Sequence, residues 1–393
     1  MLRSMYSGIS GLKNLQTKLD VIGNNVANVN TYGFKKSRVT FSDTMNQTIS
    51  GASAATENRG GTNSKQVGLG STIATIDTIH SQSSLQTTGR DLDLAVSGDG
   101  YFVVKQGDAL SYTRAGNFYL DDNGTLVNSS GSKVQAYQVD ANGNTSNAIG
   151  DVAVNVNAVL PAVKTTTVTV SENLAADAID GSVFSQQIKV IDAKGEEQAK
   201  TVYFQKSATP NEWKVYLDQD PTDTSVTATL FTTLTFENGN YKTGNKTDTT
   251  ISYDFKNLTQ VPGTTTALVN PNGNKEGKLE SFNFGSSGEI NGIYSNGKIV
   301  TLGQLAIAKF SNASGLTKSG GSTFQESINS GTANIGIAGD GRGTIASNSL
   351  EMSNVDLSEE FTEMIVAQRG FQSNSRIITT SDEILQELVN LKR

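Results

Sequence analysis

A single histidine, His80, stands among 38 acidic residues and no cysteine in a chain of 393 residues, which limits the available chemistry before any element is placed. A Ser-His-Asp relay would have to run through His80, and neither a thiolate nor a histidine-rich metal centre has ligands to draw on. His80 lies between Ile79 and Ser81 in a strand-like run and meets none of the geometric tests of a general base, so it reads as a structural or surface residue. Two acidic turns, Asp121-Asp122-Asn123-Gly124 and Asp140-Ala141-Asn142-Gly143, lack the full ligand spacing and distal Glu of a calcium loop. Hairpin turns explain both. Gly339 to Gly343, GDGRG, has no Lys-Ser or Lys-Thr after it and reads as a turn rather than a phosphate loop. So many carboxylates are compatible with a glycoside-cleaving pair, and Trp213 with the tyrosines could stack on sugar. Aromatic residues of a β domain are, however, normally core. No catalytic, cofactor-binding or metal-binding residue is assigned, and the expectation is a protein that is not an enzyme.

Composition narrows the partners. The formal net charge of -7 argues against nucleic acid, because phosphate contacts need clustered Lys and Arg. The one basic knot, Lys35, Lys36 and Arg38, reads as a solvated face. No apolar run approaches the roughly eighteen residues of a membrane span, so no membrane insertion is expected. Ser4, Ser7, Gly8 and Ser10 interrupt the N-terminus, which therefore lacks the pattern of a cleaved signal peptide. With 39 Gly, 5 Pro and 36% hydrophobic residues, the chain leans toward polar β structure.

The elements that could organise this chain are at its ends. Leu2, Met5, Ile9, Leu12, Leu15, Leu19, Ile22, Val26 and Val29 recur at spacings of three and four, which predicts a helix with one apolar stripe over 2–29. At the other end Leu357, Phe361, Met364, Phe371, Ile378, Leu385 and Val389 fall on the first and fourth positions of a heptad, with Gln368, Ser375 and Asp382 interrupting. Ser353 with Asp356 resembles a capping box, Glu359 and Glu360 lie in the first turn, and Lys392 and Arg393 close the last. The two stripes could pair as a coiled coil.

Between the ends the patterns are those of strands. Residues 36–66 are rich in Ser, Thr, Asn and Gly and read as a linker or extended arm, flexible by default. Alternation from Gly68 onward, with Gly98-Asp99-Gly100 turning before Tyr101, predicts a β domain over 67–142. Runs such as TTTVTV, TVYF, WKVYL and ISYDF predict a second β domain, a sandwich or barrel, inserted over 143–285. Residues 286–350 read as the return of the first. The expected fold class is mainly β with long terminal α-helices and nested domains: an N-terminal assembly helix and turn (1–35), the arm, a discontinuous core domain, the insert, and a C-terminal assembly helix (351–393). Nesting brings the two helices together.

Three stretches carry a resemblance. SGISGL followed by LDVIGNNVANVNTYGFKKS resembles the N-terminal signature of the rod and hook axial proteins of the bacterial flagellum, with Asn24, Asn25, Asn28, Asn30, Gly33 and Phe34 in it. TTGRDLDLAVSGDGYFVV, containing Gly98, Asp99 and Gly100, followed by YTRAGNFYLDDNGTLVN, resembles the core domain of that family. SNVDLSEEFTEMIVAQRGFQSNSRIITTSDEILQELVNLKR resembles its C-terminal signature. Together they cover about half of the chain. The resemblance implies self-assembly into a helical homopolymer through the terminal stripes, and no cofactor. It further implies unprocessed export through the flagellum's own type III channel to an extracellular place in the flagellum. The large insert favours a subunit of the curved hook, a flexible joint transmitting torque, over the distal rod. Partners implied on the same ground are the distal rod protein, the hook cap protein and the hook-filament junction protein. Two rivals come from other classes: a secreted glycan-cleaving protein, which predicts a convergent acidic cleft and leaves both terminal stripes unexplained, and an adhesin or glycan-binding module, which predicts a target site on the insert and stable monomers.

Overall fold

The computed structural model describes residues 2–55, 59–139, 145–155, 157–223, 227–248 and 250–391, with the side chains of residues 2, 3 and 388 outside that description. The turn expected at Asp140 to Gly143, the closing charges Lys392 and Arg393, and the Leu2 side chain therefore lie outside the described residues. The fold is mainly β with one helix near each end, α1 (Leu2–Ala27) and α2 (Leu357–Asn390). The chain divides into two units. The first comprises Met1–Asn155, Asn283–Asn291 and Thr301–Arg393, the second Val156–Phe282 and Gly292–Val300.

Helix α1 stops two residues short of the expected Val29. The Asn28 amide donates to Asn24 O at 2.9 Å, and the Asn28 backbone N–H is shared between Asn24 O and Asn25 O, so a side chain competes for the last helical carbonyls. Helix α2 starts one residue after Asp356, whose carboxylate accepts from the N–H groups of Ser358 and Glu359. This corrects the capping box: Asp356 is the N-cap, and Ser353 Oγ accepts only from the Val355 N–H, outside the helix.

The arm is also corrected. Over its described residues it is paired, not a flexible linker. Strand β1 (Ser37–Asp43) runs antiparallel to β4 (Ser71–Thr78), and β2 (Asn46–Ser50) to β3 (Lys65–Gly68). Polar cross-strand pairs hold it, including Thr40 with Thr75 at 2.6 Å and Ser53 with Thr62 at 2.7 Å.

In the body of the first unit, Tyr101–Gln106 turns through Gly107 into Ala109–Thr113, while Lys133–Val139 and Ile307–Lys309 also pair with the former strand. Tyr101, Val103, Tyr112, Ala308, Phe310 and Phe324 form one core cluster there. Thr344–Ser347 pairs with Leu94–Ser97, and Ser349–Glu351 with Leu85–Thr87, so the segment leading into α2 is pinned to the segment that follows the arm.

In the second unit one sheet runs in the order Val183–Ile191, Glu197–Lys206, Glu212–Leu217, Leu230–Glu237, Asn240–Thr243, Ile251–Thr259, Thr167–Asn173, Leu268–Pro271. Among the described residues only Thr167–Asn173 and Ile251–Thr259 run parallel along it. The two ends of the order approach each other: Thr165 N–H donates to Ile191 O at 3.0 Å, and Val269 N–H donates to Gln186 Oε1 at 2.9 Å. The sheet thus curls into a nearly closed barrel around Trp213, Phe204, Phe255, Tyr253 and Leu234.

Candidate assembly surface

The terminal helices close on each other within one chain, antiparallel. Gly8 of α1 lies against Ile378 and Asn374 of α2, Gly11 against Asn374, and Leu15 against Gly370. Nearer the body, Lys18 Nζ meets Glu363 at 3.0 Å, and Asn25 Nδ2 donates to Glu360 Oε2 at 3.2 Å. Asn25 also binds Ser37 from both sides, donating to its carbonyl and accepting from its N–H. The α2 side of this seam mixes small, polar and apolar residues: Glu360, Ala367 and Ser381 are buried, and Gly370, Asn374 and Ile378 half-buried. Burial holds the Glu360 carboxyl above its ordinary value, an effect that outweighs its bond to Asn25 and the nearby Lys36.

The apolar residues expected to form the seam are divided. On α1, Ile22 is buried, Met5, Leu12, Leu15, Leu19 and Val26 are half-buried, and Ile9 is exposed; Val29, just past the helix, is half-buried. On α2, Met364, Ile378 and Leu385 are half-buried, whereas Leu357, Phe361, Phe371 and Val389 are exposed. Ile365, Val366, Ile377 and Ile384 are exposed beside them, so apolar side chains flank the seam on α2. Among the described residues of a single chain nothing covers these flanks.

Where the helices join the body, a buried ionic clasp unites three distant stretches. Lys35 Nζ meets Glu351 Oε1 at 2.6 Å with both side chains fully buried, and Arg114 Nη1 meets Glu351 Oε2 at 3.3 Å. Lys35 Nζ also donates to Ser81 O, Ser83 N–H donates to Glu351 Oε1, and Arg114 Nη2 donates to Gly98 O. Desolvation draws the Lys35 pKa down against the pull of Glu351. Lys36 pairs with Glu359 at 2.6 Å, and only Arg38 of the basic knot is mostly exposed. The solvated-face reading of Lys35 and Lys36 is therefore overturned: each finds its carboxylate more than 300 residues along the chain.

Gly33 sets the approach angle. Its φ is +68°, its N–H donates to Glu351 O at 2.8 Å, and a Cβ there would lie 2.5 Å from Ala115 N. Gly100, at φ +150°, leaves no room for a Cβ beside Ile307. Of the other signature residues, Asn25 is buried, Asn28 and Phe34 are half-buried, and Asn24, Asn30, Gly98 and Asp99 are exposed. The Phe34 ring carries Lys318 Nζ at 5.0 Å from its centroid. Glu351, Arg114, Gly370 and Asn374 escaped the sequence reading, and Glu360 entered it only as a first-turn acid of α2. The row Ala367, Gly370, Asn374, Ser381, at helical spacings of three, four and seven, could have revealed the close-packed face of α2. Among the described residues there is no cluster that could hold a metal ion, and no helix long and apolar enough to cross a membrane.

Three stretches match family models. Residues 5–35 match the flagella basal body rod protein family, residues 95–173 the flagellar hook protein FlgE/F/G D1 domain, and residues 346–391 the flagellar basal body rod FlgEFG protein C-terminal family. The chain is 43% identical to a Bacillus subtilis protein named flagellar basal-body rod protein FlgG, with 100% of both chains covered. It is 40% identical to the flagellar hook protein FlgE of Borreliella burgdorferi, again over 100% of both. With FlgE of Salmonella typhimurium the identity is 35%, over 99% of this chain and 100% of that one. A crystal structure of Helicobacter pylori flagellar hook protein FlgE2 matches with a TM-score of 0.52 at 14% identity, covering 68% of this chain and 100% of that one. At that identity the likeness speaks for the fold alone.

Proposed function

Because the chain belongs to the family of flagellar hook and basal-body rod proteins, we propose that it is the structural subunit of a bacterial flagellar hook. The observation that carries this reading is full-length relatedness to hook proteins, 40% and 35% identical with the whole of each relative covered. The exposed apolar flanks of α2 supply the physical means of assembly. Each copy closes its own helix hairpin and offers Phe361, Ile365, Val366, Ile377 and Ile384 to the helices of its neighbours. Such contacts between unlike faces repeat as an open helical array rather than closing as a dimer. Helix packing then carries the tube. Polar contacts between the β units of neighbouring copies shift as the tube bends, which lets it transmit torque as a flexible joint.

The finer parts of the proposal follow from the same premise. The core domain is discontinuous and the barrel is its insert; Asn24, Asn25, Asn28, Asn30, Gly33 and Phe34 set the junction between α1 and the body. Leu2, Met5, Ile9, Leu12, Leu15, Leu19, Ile22, Val26 and Val29, with Leu357, Phe361, Met364, Phe371, Ile378, Leu385 and Val389, serve assembly. The chain is exported unprocessed, works outside the cell, and meets distal rod, hook cap and junction proteins at the ends of the polymer. The role is mechanical and needs no catalytic group.

A rod reading has one specific observation in its favour, the Bacillus subtilis relative named as a rod protein and covered end to end. Immunogold labelling of intact flagella separates the two. Label on a short curved segment between cell surface and filament is the expected result; label confined to the basal body within the envelope would make the chain a rod subunit.

A further inference from the structure

Helix α2 carries a second pattern that its packing on α1 does not use. Arg369, Arg376, Glu383 and Glu387 follow one another at spacings of seven, seven and four, which keeps them in one line along the helix. At about 100° per residue, Arg376 stands opposite Asn374 and Ile378, the residues two positions to either side of it that meet α1. The line therefore runs along the face turned away from the hairpin seam, and all four side chains are exposed. The acids of the first turn are not part of it, because Glu359 is held by Lys36 and Glu363 by Lys18. Among the described residues none of the four has an ion-pair partner; Arg369 reaches Gln372 Oε1 at 3.4 Å.

The order of these charges, two positive and then two negative, is self-complementary. A second α2 laid alongside in the same direction and at the same level sets Arg on Arg and Glu on Glu. A parallel copy shifted along the axis satisfies the arginines of one helix and the glutamates of the other, and leaves the rest unpaired. Laid antiparallel, with a two-fold axis between Ile378 and Thr379, the second copy sets its Glu387 against Arg369 and its Glu383 against Arg376, and the symmetry repeats both pairs. The apolar neighbours obey the same symmetry. Ile377 follows Arg376 and Ile384 follows Glu383, so both exposed side chains flank the line on one side, and in an antiparallel pair that side faces its own copy.

We propose that two copies of the chain pair through this face of α2, antiparallel about a two-fold axis, in a dimer that stands outside the polymer. Such a contact uses the same patch twice, closes with two copies and cannot propagate. A consequence rests on the assembly reading above: the dimer covers Ile377 and Ile384, which that reading gives to neighbours in the tube, so dimer and tube compete for one surface. Exposed ion pairs are individually weak and are screened by salt, so these charges set direction and register while the pair stays readily dissociated.

Sedimentation equilibrium of the full chain below its assembly concentration measures the dimer. Lowering the ionic strength from about 0.15 M to about 0.01 M lengthens the screening distance from about 8 to about 30 Å and should tighten the pairing several-fold. Arg369→Glu with Arg376→Glu makes the line wholly acidic, and Glu383→Arg with Glu387→Arg makes it wholly basic. Each double variant should keep its helical ellipticity and lose self-pairing by at least about tenfold, while an equal mixture of the two should pair more tightly than either alone. Direction is read separately, because the chain has no cysteine. Thr380→Cys, on the line beside the two-fold axis, should cross-link two copies on mild oxidation, whereas Thr362→Cys, on the same line but about 25 Å along the helix from that axis, should not. Monomers at both ionic strengths, self-pairing unmoved by the charge reversals, or cross-linking through Thr362→Cys would overturn the proposal. Tubes without a dimer leave the assembly reading standing; a dimer without tubes at any concentration removes that reading, and with it the competition, but not the pairing.

Discussion

In the barrel unit Trp213, Phe204, Phe255 and Leu234 are at most 1% exposed, whereas on α2 Phe361, Ile365 and Val366 stand at 48%, 58% and 63%. Both regions are rich in large apolar side chains, and only one has somewhere to put them. The sheet supplies its own second face by curling until its end strands meet. A pair of helices cannot: two cylinders share one seam, and here that seam is occupied by Gly8, Gly11 and Leu15 against Gly370, Asn374 and Ile378. The barrel is complete as a single chain, and the helix pair is complete only in company.

Breaking the barrel should be the most costly change. Trp213→Ala removes the largest buried side chain of the second unit and is expected to cost about 3–5 kcal/mol. Denaturant unfolding followed by amide exchange reads both the size and the extent. Protection should fall across Val183–Thr259 and persist in the first unit; simultaneous loss in both would mean that the barrel is not self-sufficient.

The clasp comes next. Glu351→Gln leaves Lys35 and Arg114 buried without a carboxylate and should cost about 3–5 kcal/mol, a loss confined to the first unit. Gly33→Ala, which forces a side chain into a left-handed position against Ala115, should cost about 1–3 kcal/mol or more. Its signature is a loosened α1, seen as lost helical ellipticity before the β signal changes. If helix and β signals fell together, the junction would not be the weak point that the geometry makes it.

Much of this contrast is legible in the sequence, for reasons visible at particular residues. The strands of the barrel announce themselves because WKVYL and ISYDF alternate against a buried face. The two end helices are marked by apolar spacing, and the Asn-rich stop of α1 by side chains that compete for carbonyls. The arm misleads because both faces of its β1 and β4 strands are largely solvated, so Thr and Ser pair across it without an apolar alternation. Lys35 misleads for a different reason: a buried cation looks like a surface cation until Glu351, 316 residues away, is placed beside it. On α2 the heptad of large residues draws the eye, yet of these Ile378 reaches α1 beside the smaller Gly370 and Asn374, while Leu357, Phe361, Phe371 and Val389 stay exposed.

A pH experiment sharpens the contrast at the level of a single group. With its folded pKa at about 4, below the ordinary 6.5, His80 is buried neutral, and the unfolded chain binds the proton more readily. Its contribution is therefore fully present above pH 6.5 and is lost as the pH falls toward 4. Discounted for partial solvent access, the loss is about 1–2 kcal/mol. Subtracting the profile of His80→Gln from that of the unaltered chain isolates this from the carboxylates that titrate nearby. A flat difference between pH 6.5 and 4 would show that the imidazole is not held neutral.

The smallest effect on the monomer should be the largest on assembly. Replacing Ile365 and Val366 by Ser removes apolar surface that a single chain leaves mostly in water, so monomer stability should stay within about 0.5 kcal/mol for each. Covering the same two side chains in a polymer removes them from water, a gain of about 1.5–3 kcal/mol each when complete. The Ser variants should thus fold like the unaltered chain yet require at least tenfold more protein before tubes appear in negative-stain micrographs. Gln368→Ala, an exposed polar position on the same helix, is the control and should leave the threshold where it was. If the Ser variants assemble at the usual concentration, those flanks stay wet in the polymer and the neighbouring copy docks elsewhere. If they unfold instead, the helix hairpin depends on those side chains already in the single chain, and the division between a complete barrel and an incomplete helix pair fails.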